Sequence, residues 1–164
     1  MQDNRKSPSS IEQSLRVRKI KNGTVIDHIS PGNALNVLKI VGINGKEGMI
    51  ISIAMNVPSS KGSTYKDVVK IENKELAPEE INRIALIAPN ASINIIRDYE
   101  VIQKKKVVLE DQIKGVIKCM NPNCITNSNE PVKSFFKIET RDPVSLRCKY
   151  CDRIIEYNDI VKQF

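Results

Sequence analysis

The sequence predicts an α+β protein with two domains: a ferredoxin-like antiparallel sheet with two helices on one face, and a small all-β domain after it. Three observations carry this prediction. Hydrophobic periodicity in residues 15–108 gives the order strand, helix, strand, strand, helix, strand, which is the split βαβ pattern. All four cysteines of the 164-residue chain fall within residues 119–151. Residues 1–118 contain none, so composition divides the chain into two parts.

The first half of the N-terminal domain is predicted from alternation and from helix-start signals. Residues 1–14 are polar and rich in serine, which is typical of a mobile tail. Residues 15–20 alternate apolar and basic side chains, as a half-buried strand does. After the turn signal Asn22–Gly23, residues 24–29 continue as a strand. Ser30–Pro31 then predicts the start of the first helix, since serine caps helices and proline suits their first position.

The second half of this domain repeats the pattern. Residues 49–57 form a mostly apolar strand, and residues 65–72 form the next one. Pro78 opens the second helix, because the two acidic residues behind it suit the positive end of a helix dipole. Residues 92–103 contain one or two more strands. Residues 104–118 are strongly charged and predict a connector into the second domain, so we set the domain boundary between residues 108 and 109.

The cysteines have the spacing C-x4-C, a gap of 23 residues, then C-x2-C. Two such pairs can wrap a tetrahedral zinc ion at Zn–S distances of about 2.3 Å. Disulfides are the alternative in a secreted protein, but residues 1–20 hold no apolar export signal. Four thiolates close the coordination shell, so the site is structural, and metal binding is coupled to folding of a zinc-ribbon-like domain over residues 109–164. The predicted ligands are Cys119, Cys124, Cys148 and Cys151.

Charge and composition limit the classes of function that the chain can have. The formal net charge of +7 and pI near 9.3 favour polyanionic partners, either nucleic acid or nucleotide phosphates. No apolar run approaches the ~20 residues that span a bilayer, so we expect a cytoplasmic protein without a membrane role. His28 is the only histidine, and no thiol remains once zinc has four. Nucleophilic catalysis therefore lacks its usual residues, and we expect no enzymatic activity.

Two functional classes fit these features. One is an RNA-associated zinc ribbon protein, favoured by the basic charge and by three aromatic residues, Phe135, Phe136 and Tyr150, that could stack on bases. The other is a non-catalytic regulatory subunit, in which one domain binds a small anionic effector and the zinc domain docks a partner. The pair Asp27–His28 could contact a ribose and a phosphate, but by residue type alone a solvated strand edge is the more frequent environment of such a pair. The same holds for five lysines: Lys66, Lys70, Lys104, Lys105 and Lys106.

Whole motifs favour the second class. The runs GTVIDHI at residues 23–29 and KDVVKIEN at residues 66–73, the turn APNA at residues 88–91 leading into Tyr99–Val101, and the cysteine pattern with its CKYC end at Cys148–Cys151 occur together. In this combination and order the chain resembles the regulatory chain of aspartate carbamoyltransferase over about residues 15–155. The sequence departs from that pattern in the basic pair Arg18–Lys19 and in a longer N-terminal tail.

The resemblance implies an allosteric domain that binds the effectors CTP and ATP and a zinc domain that docks to catalytic chains. It also implies regulatory homodimers that control the first committed step of pyrimidine biosynthesis. Asp27, Lys70 and Tyr99 would surround base and ribose. His28 and Lys104 would face the phosphates, and two valines would supply apolar contact. The implied nucleotide site comprises Val17, Asp27, His28, Lys70, Asn94, Tyr99, Val101 and Lys104.

Overall fold

The computed structural model describes residues 18–60 and 64–164 of the chain. The predicted tail, residues 1–14, and the predicted site residue Val17 lie outside these ranges. Residues 18–20, the last part of a predicted strand, have no regular secondary structure. The prediction of a strand is therefore wrong for these three residues.

The N-terminal domain is built on a five-stranded antiparallel sheet with the order β2-β3-β1-β4-β5. The first four strands have the arrangement of the split βαβ fold, and β5 joins the edge of β4 as a hairpin. The predicted ferredoxin-like α+β fold is confirmed, with β5 reaching three residues into the predicted connector. The strands are β1 Gly23–Ile29, β2 Ile51–Pro58, β3 Tyr65–Glu72, β4 Ser92–Arg97 and β5 Glu100–Lys106.

Gly23 opens β1 where the chain enters the sheet. Its φ is +135°, and a Cβ added there would lie 2.1 Å from the carbonyl oxygen of Ile71 on β3. Only glycine tolerates both this backbone conformation and this close approach. The turn signal of the sequence thus marks a strand entry rather than a hairpin.

Two helices cover one face of the sheet. The first, α1, spans Ala34–Ile40 and begins three residues later than Ser30–Pro31 predicted. Its cap comes from β3, since the backbone N–H of Ala34 donates to Asp67 Oδ2 at 3.1 Å. The second, α2, spans Pro78–Ile87 and begins at the predicted proline. Among the described residues, no helix has both the length and the apolarity needed to cross a membrane.

Alternation along the strands separates a helix-covered face from an open face. Ile26 pairs across the strands with Val69 and Ile93, and all three are buried in the apolar cluster that also contains the inner sides of α1 and α2. The next residue along β1, Val25, pairs with Lys70 and Asn94, which therefore point to the other side. No helix among the described residues packs on this second side, which we call the open face.

The C-terminal domain contains a four-stranded sheet with the order β6-β7-β8-β9. Phe136, Leu146, Ile155 and Ile160 are fully buried and form its small core. This confirms the predicted small β domain. Its elements are β6 Gln112–Lys114, a 3-10 turn at Ile125–Asn127, β7 Phe135–Arg141, β8 Val144–Cys148, β9 Ile154–Ile155 and α3 Tyr157–Val161.

The segment between the domains is held from both sides. The Val107 N–H donates to the Ala91 carbonyl of the first domain at 3.0 Å. Arg141, on β7 of the second domain, donates through Nη1 to the Leu109 carbonyl at 2.7 Å. Buried apolar residues of the two domains also form one continuous cluster. The junction is therefore packed, whereas the sequence predicted a charged connector.

Candidate metal centre and the open face of the sheet

The four predicted ligands come together at one end of the C-terminal domain. All four Sγ atoms lie within 4.8 Å of one another. The Cys119 and Cys151 sulfurs are 3.5 Å apart, and those of Cys124 and Cys148 are 3.8 Å apart. A disulfide needs about 2.05 Å, whereas metal–sulfur bonds of about 2.3 Å in a tetrahedron place sulfurs about 3.8 Å apart. The spacing fits a four-thiolate metal site and excludes disulfides among these cysteines.

Local turns aim the first two thiols inward. The Cys124 N–H donates to the Asn121 carbonyl at 3.0 Å. The side chain of Asn127 then clamps the turn, since its Nδ2 donates to the carbonyls of Cys119 at 2.8 Å and Asn121 at 2.7 Å. Asn127 thus satisfies two backbone carbonyls of the segment that carries the first pair of thiols.

The second pair sits on a similar turn at the end of β8. The Asp152 N–H donates to the Cys148 carbonyl at 3.0 Å, and Asp152 has a φ of +59°. The Cys148 N–H in turn donates to the Arg153 carbonyl at 2.9 Å. Because β8 pairs with β7 and β9, this turn is anchored on the sheet, while the first pair is anchored on a loop.

Electrostatics at two of the thiols, those of Cys119 and Cys148, favour a bound cation. Burial raises the pKa of the Cys119 thiol to about 12 and also raises that of Cys148. Burial acts in the same direction at Cys151, but hydrogen bonding from the Arg153 backbone and neighbouring side chains outweighs it and lowers the pKa to about 7. Burial therefore keeps the Cys119 and Cys148 thiols protonated unless a positive charge compensates their thiolates, which a divalent metal does.

On the open face, the register brings together residues distant in the sequence. One cross-strand row runs from Lys70 on β3 through Val25 on β1 and Asn94 on β4 to Lys104 on β5. Two residues further along β1, the next row on the same face contains Asp27, opposite Ser92 on β4. Residues directly opposite one another in an antiparallel sheet point to the same side. Lys70, Asn94, Lys104 and Asp27 therefore share one surface.

Asp27 and His28 lie at the end of β1, where a register shift interrupts its pairing with β3. The Lys66 Nζ makes an ion pair with Asp27, at 2.7 Å to Oδ1 and 2.9 Å to Oδ2. The His28 ring is 40% exposed, and its Nδ1 lies 3.3 Å from Ser92 Oγ. His28 has a φ of +59°, unusual for a residue with a side chain. The bulge thus turns the imidazole to the rim of the open face with one ring nitrogen engaged.

Lys70 is only 8% exposed, and its Nζ donates to the carbonyl of Arg18. Burial lowers the pKa of its ammonium group, against which the negative charge of Asp27 acts. The hydrogen bond places the segment before β1 across the open face. Lys70 is therefore a charged donor close to both Asp27 and the Arg18 carbonyl.

Tyr99 and Val101 occupy the far end of the open face. Asp98 and Tyr99 form the two-residue loop between β4 and β5, with φ of +48° and +68°, as a type I′ turn requires. Tyr99 is 56% exposed, and its N–H donates to the Lys21 carbonyl at 3.0 Å. Val101 pairs with Ile96 and is exposed. Both side chains are accessible to a ligand.

The structure adds two residues that sequence reasoning left out of the site. The sequence left Lys66 open between a phosphate contact and a solvated face, and it predicted no role for Ser92. Both touch the pair at the end of β1: Lys66 binds Asp27, and Ser92 contacts His28. Strand alternation carries a signal for Lys66, because residues 66, 68 and 70 of one strand share a face. No local signal points to Ser92.

Fold and sites together define a class of protein: a ferredoxin-like domain with an open, basic sheet face, packed against a small four-cysteine metal-binding domain. Residues 15–108 match the model of the aspartate carbamoyltransferase regulatory chain, allosteric domain, and residues 111–161 match that of the same chain's metal binding domain. The chain belongs to the family of aspartate carbamoyltransferase regulatory chains. The expectation of a regulatory rather than a catalytic chain is thereby confirmed.

Named relatives agree along nearly the whole length. The aspartate carbamoyltransferase regulatory chain of Methanothrix thermoacetophila is 54% identical over 152 residues, covering 90% of this chain and 98% of the relative. That of Methanothermobacter thermautotrophicus is 53% identical, covering 92% and 95%. The chain of Methanocella arvoryzae is 56% identical, covering 88% and 93%.

Proposed function

We propose that this chain is the cytoplasmic regulatory subunit of an aspartate carbamoyltransferase, binds CTP and ATP on its open face, and so controls pyrimidine biosynthesis. In this proposal a homodimer of the chain docks to catalytic chains through the metal-binding domain, and the metal is zinc. The single observation that carries the nucleotide site is the shared surface of Asp27, Lys70, Asn94 and Lys104.

Chemistry along this surface matches the parts of a nucleoside triphosphate. Asp27 is an acceptor for an exocyclic amine or a ribose hydroxyl, and Lys66 holds its carboxylate in place. Lys70 is a donor on the same surface for the base or ribose. His28 stands at the rim with Ser92, where a phosphate would meet an imidazole and a hydroxyl. Residues from four strands and one turn would thus contact one ligand.

Positive charge is concentrated where the phosphates would lie. Lys104 and Lys106 both point to the open face, in the rows of Asn94 and Ser92 respectively. Both side chains are exposed and can reach a polyphosphate without breaking an internal contact. Val17, which would add an apolar contact, lies outside the described residues and stays a prediction.

Zinc is the proposed ion because four thiolates at tetrahedral spacing are its usual structural environment. The ligands Cys119, Cys124, Cys148 and Cys151 would hold it, and it would supply the charge that stabilises four thiolates. A closed shell of this kind performs no chemistry. We propose that the zinc instead holds the two turns in the shape that the catalytic chain recognises.

The two edges of the large sheet support a dimer through β2. The strand Ile51–Pro58 carries no charged residue, and Ile53 and Met55 are each 40% exposed. The opposite edge, β5, ends in three lysines, which discourage another strand from pairing there. A second copy of this chain would satisfy both the unpaired backbone groups and the exposed apolar side chains of β2.

Equilibrium binding of CTP and ATP to the zinc-loaded chain tests the nucleotide proposal. Lys104→Ala should weaken CTP binding about tenfold or more, since a charge-assisted hydrogen bond contributes about 1.5–3 kcal/mol. Its effect on cytidine should be much smaller, because the nucleoside has no phosphate. Lys105→Ala is the matched control: Lys105 is the next residue on β5 and pairs in the row of Ile93, on the helix-covered side.

Two outcomes would contradict the proposal. Equal losses for CTP and cytidine would remove Lys104 from the phosphates. Binding of an unstructured RNA with a steep salt dependence, without saturable binding of free triphosphates, would instead support the RNA-associated zinc ribbon protein.

A further inference from the structure

One side chain of the metal-binding domain reaches into the helix layer of the nucleotide domain. Tyr157 is the first residue of α3, just after the last strand of the small sheet. Its hydroxyl lies 2.8 Å from Asn33 Oδ1 and 3.0 Å from the Ile87 carbonyl oxygen. A phenol carries a single proton, so these two acceptors compete for it. Burial raises the pKa of Tyr157, so the proton stays in place at neutral pH.

The first acceptor is connected to the end of β1. Asn33 follows His28 by five residues and directly precedes α1. The N–H of Ala34, its neighbour, donates to the buried carboxylate of Asp67. On the same strand, the residue before Asp67 is Lys66, which holds Asp27 on the open face. Lys66 thus contacts the proposed nucleotide site on the open face, and the next residue, Asp67, contacts the start of α1 on the helix-covered face.

The second acceptor is connected to the same place by a different path. Ile87 is the last residue of α2, and Ser92 opens β4 five residues later. Ser92 Oγ contacts the imidazole of His28. Asn33 therefore lies in the segment that follows His28 along the chain. Ile87 lies at the end of the helix that leads to Ser92, which contacts His28.

We infer that the Tyr157 hydroxyl is a positioning contact through which occupation of the open face changes the orientation of α3 and of the metal-binding domain. A ligand that moves His28 or the Lys66–Asp27 pair shifts Asn33 and Ile87 relative to each other and changes which of them accepts the proton. The hydroxyl then has two discrete arrangements, as a transmitting contact needs. This inference rests on the proposed function, because the ligand of the open face is taken to be a nucleoside triphosphate.

The test uses the full zinc-loaded chain with CTP as the probe. Calorimetry gives the affinity, and amide hydrogen exchange gives the response of α3 to CTP. In the wild type, CTP should change the exchange of amides in Tyr157–Val161 about fivefold or more, the lower end of ordinary allosteric coupling. Tyr157→Phe, which keeps the ring and removes the hydroxyl, should leave CTP affinity within about twofold while abolishing this response.

Three further variants separate transmission from simple loss of packing. Tyr150→Phe removes the hydroxyl of an exposed tyrosine in the same domain and should respond to CTP as the wild type does. Asn33→Ala should weaken the α3 response in the same direction as Tyr157→Phe, and adding it to Tyr157→Phe should weaken the response no further, because both remove the Tyr157–Asn33 contact. Asn36→Ala removes only the other hydrogen bond to Asn33 Oδ1 and should leave the response intact.

The same measurements of CTP binding and α3 exchange give the results that would overturn the inference. If CTP binds but α3 exchange is unchanged in the wild type, or changes equally in Tyr157→Phe, the hydroxyl does not transmit, and the proposed function stands. If CTP does not bind the wild type at all, the proposed function is wrong, and this inference, which depends on it, is wrong as well.

Discussion

The two domains are stabilised in different ways. In the N-terminal domain, strands of up to eight residues and two helices enclose an apolar interior in which Ile26, Val69 and Ile84 are fully buried. In the C-terminal domain, the first strand has three residues and the last has two. Strands this short bury little apolar surface, and four thiols occupy the space at one end of the sheet.

Because of this difference, we expect the folding of the C-terminal domain to depend on a bound metal ion. The first domain encloses its own set of buried apolar residues, so we expect it to fold without the metal. In the second, the buried thiols supply weak contacts until they bind a metal as thiolates. The dependent domain is also the one proposed to dock the catalytic chain. Loss of metal should therefore separate the two proposed activities of the chain, effector binding and assembly.

The largest expected effect comes from removing the metal. Cys148→Ser removes a buried thiol of the candidate metal site at the end of β8, and structural zinc sites contribute about 10–16 kcal/mol of apparent binding free energy. Amides of residues 112–161 should lose protection from hydrogen exchange, while those of β1 and β4 keep it. The variant should still bind CTP but no longer join catalytic chains.

Chelation followed by reloading is the control for this experiment. Chelator should produce the same loss in the wild-type chain, and added Zn²⁺ should reverse it there but not in Cys148→Ser. Retained protection of residues 112–161 in the metal-free chain would mean that the small core suffices, and the contrast between the domains would disappear.

A smaller effect is expected from the buried acid of the first domain. Asp67 is fully buried and accepts from the Ala34 N–H at 3.1 Å and the Asn56 N–H at 2.9 Å. Asp67→Ala leaves the buried Ala34 N–H and the N–H of the exposed Asn56 without this acceptor and should lower the free energy of unfolding by about 1–3 kcal/mol. Urea titration followed by far-UV circular dichroism measures this loss.

Asp67→Asn is the matched variant, since it keeps one acceptor oxygen and should lose about half as much. Metal content should be unchanged in both variants, because the damage lies in the other domain. An unchanged urea midpoint for Asp67→Ala would show that α1 does not depend on this cap from β3.

The smallest effect on folding is expected at the sheet edges, where the first domain meets its proposed partner. Ile53→Lys on β2 places a charge on the exposed edge and should weaken the homodimer about a hundredfold or more, as loss of an apolar anchor does. The free energy of unfolding at the monomer level should change by no more than about 0.5 kcal/mol. Sedimentation at several concentrations measures the dimer.

Ile102→Lys is the control on the opposite edge, because Ile102 is a similarly exposed isoleucine of β5, 52% exposed. It should leave the dimer intact. A dimer that survives Ile53→Lys and dissociates with Ile102→Lys would assign the interface to β5 and reverse our interpretation of the lysines there.

Local patterns in the sequence determined much of this protein. Alternation and helix signals predicted the strands and helices of the split βαβ fold, because side-chain periodicity is a local consequence of backbone geometry. The cysteine spacing predicted that the four thiols come together in a cluster that fits a metal site, because a short turn between two thiols is also local. The motifs around Asp27 and Cys148 identified the family, and the predicted nucleotide-binding residues stay a prediction for the experiments above.

Only the tertiary structure decided what depends on contacts between distant segments. The helix after Ser30 begins at Ala34, because its cap comes from Asp67 on another strand. Ser92 joins His28 through the pairing of β1 with β4, 64 residues apart in sequence. Tyr157 reaches Asn33 across 124 residues and a domain junction. Such contacts are set by strand register and domain packing, which no window of the sequence contains.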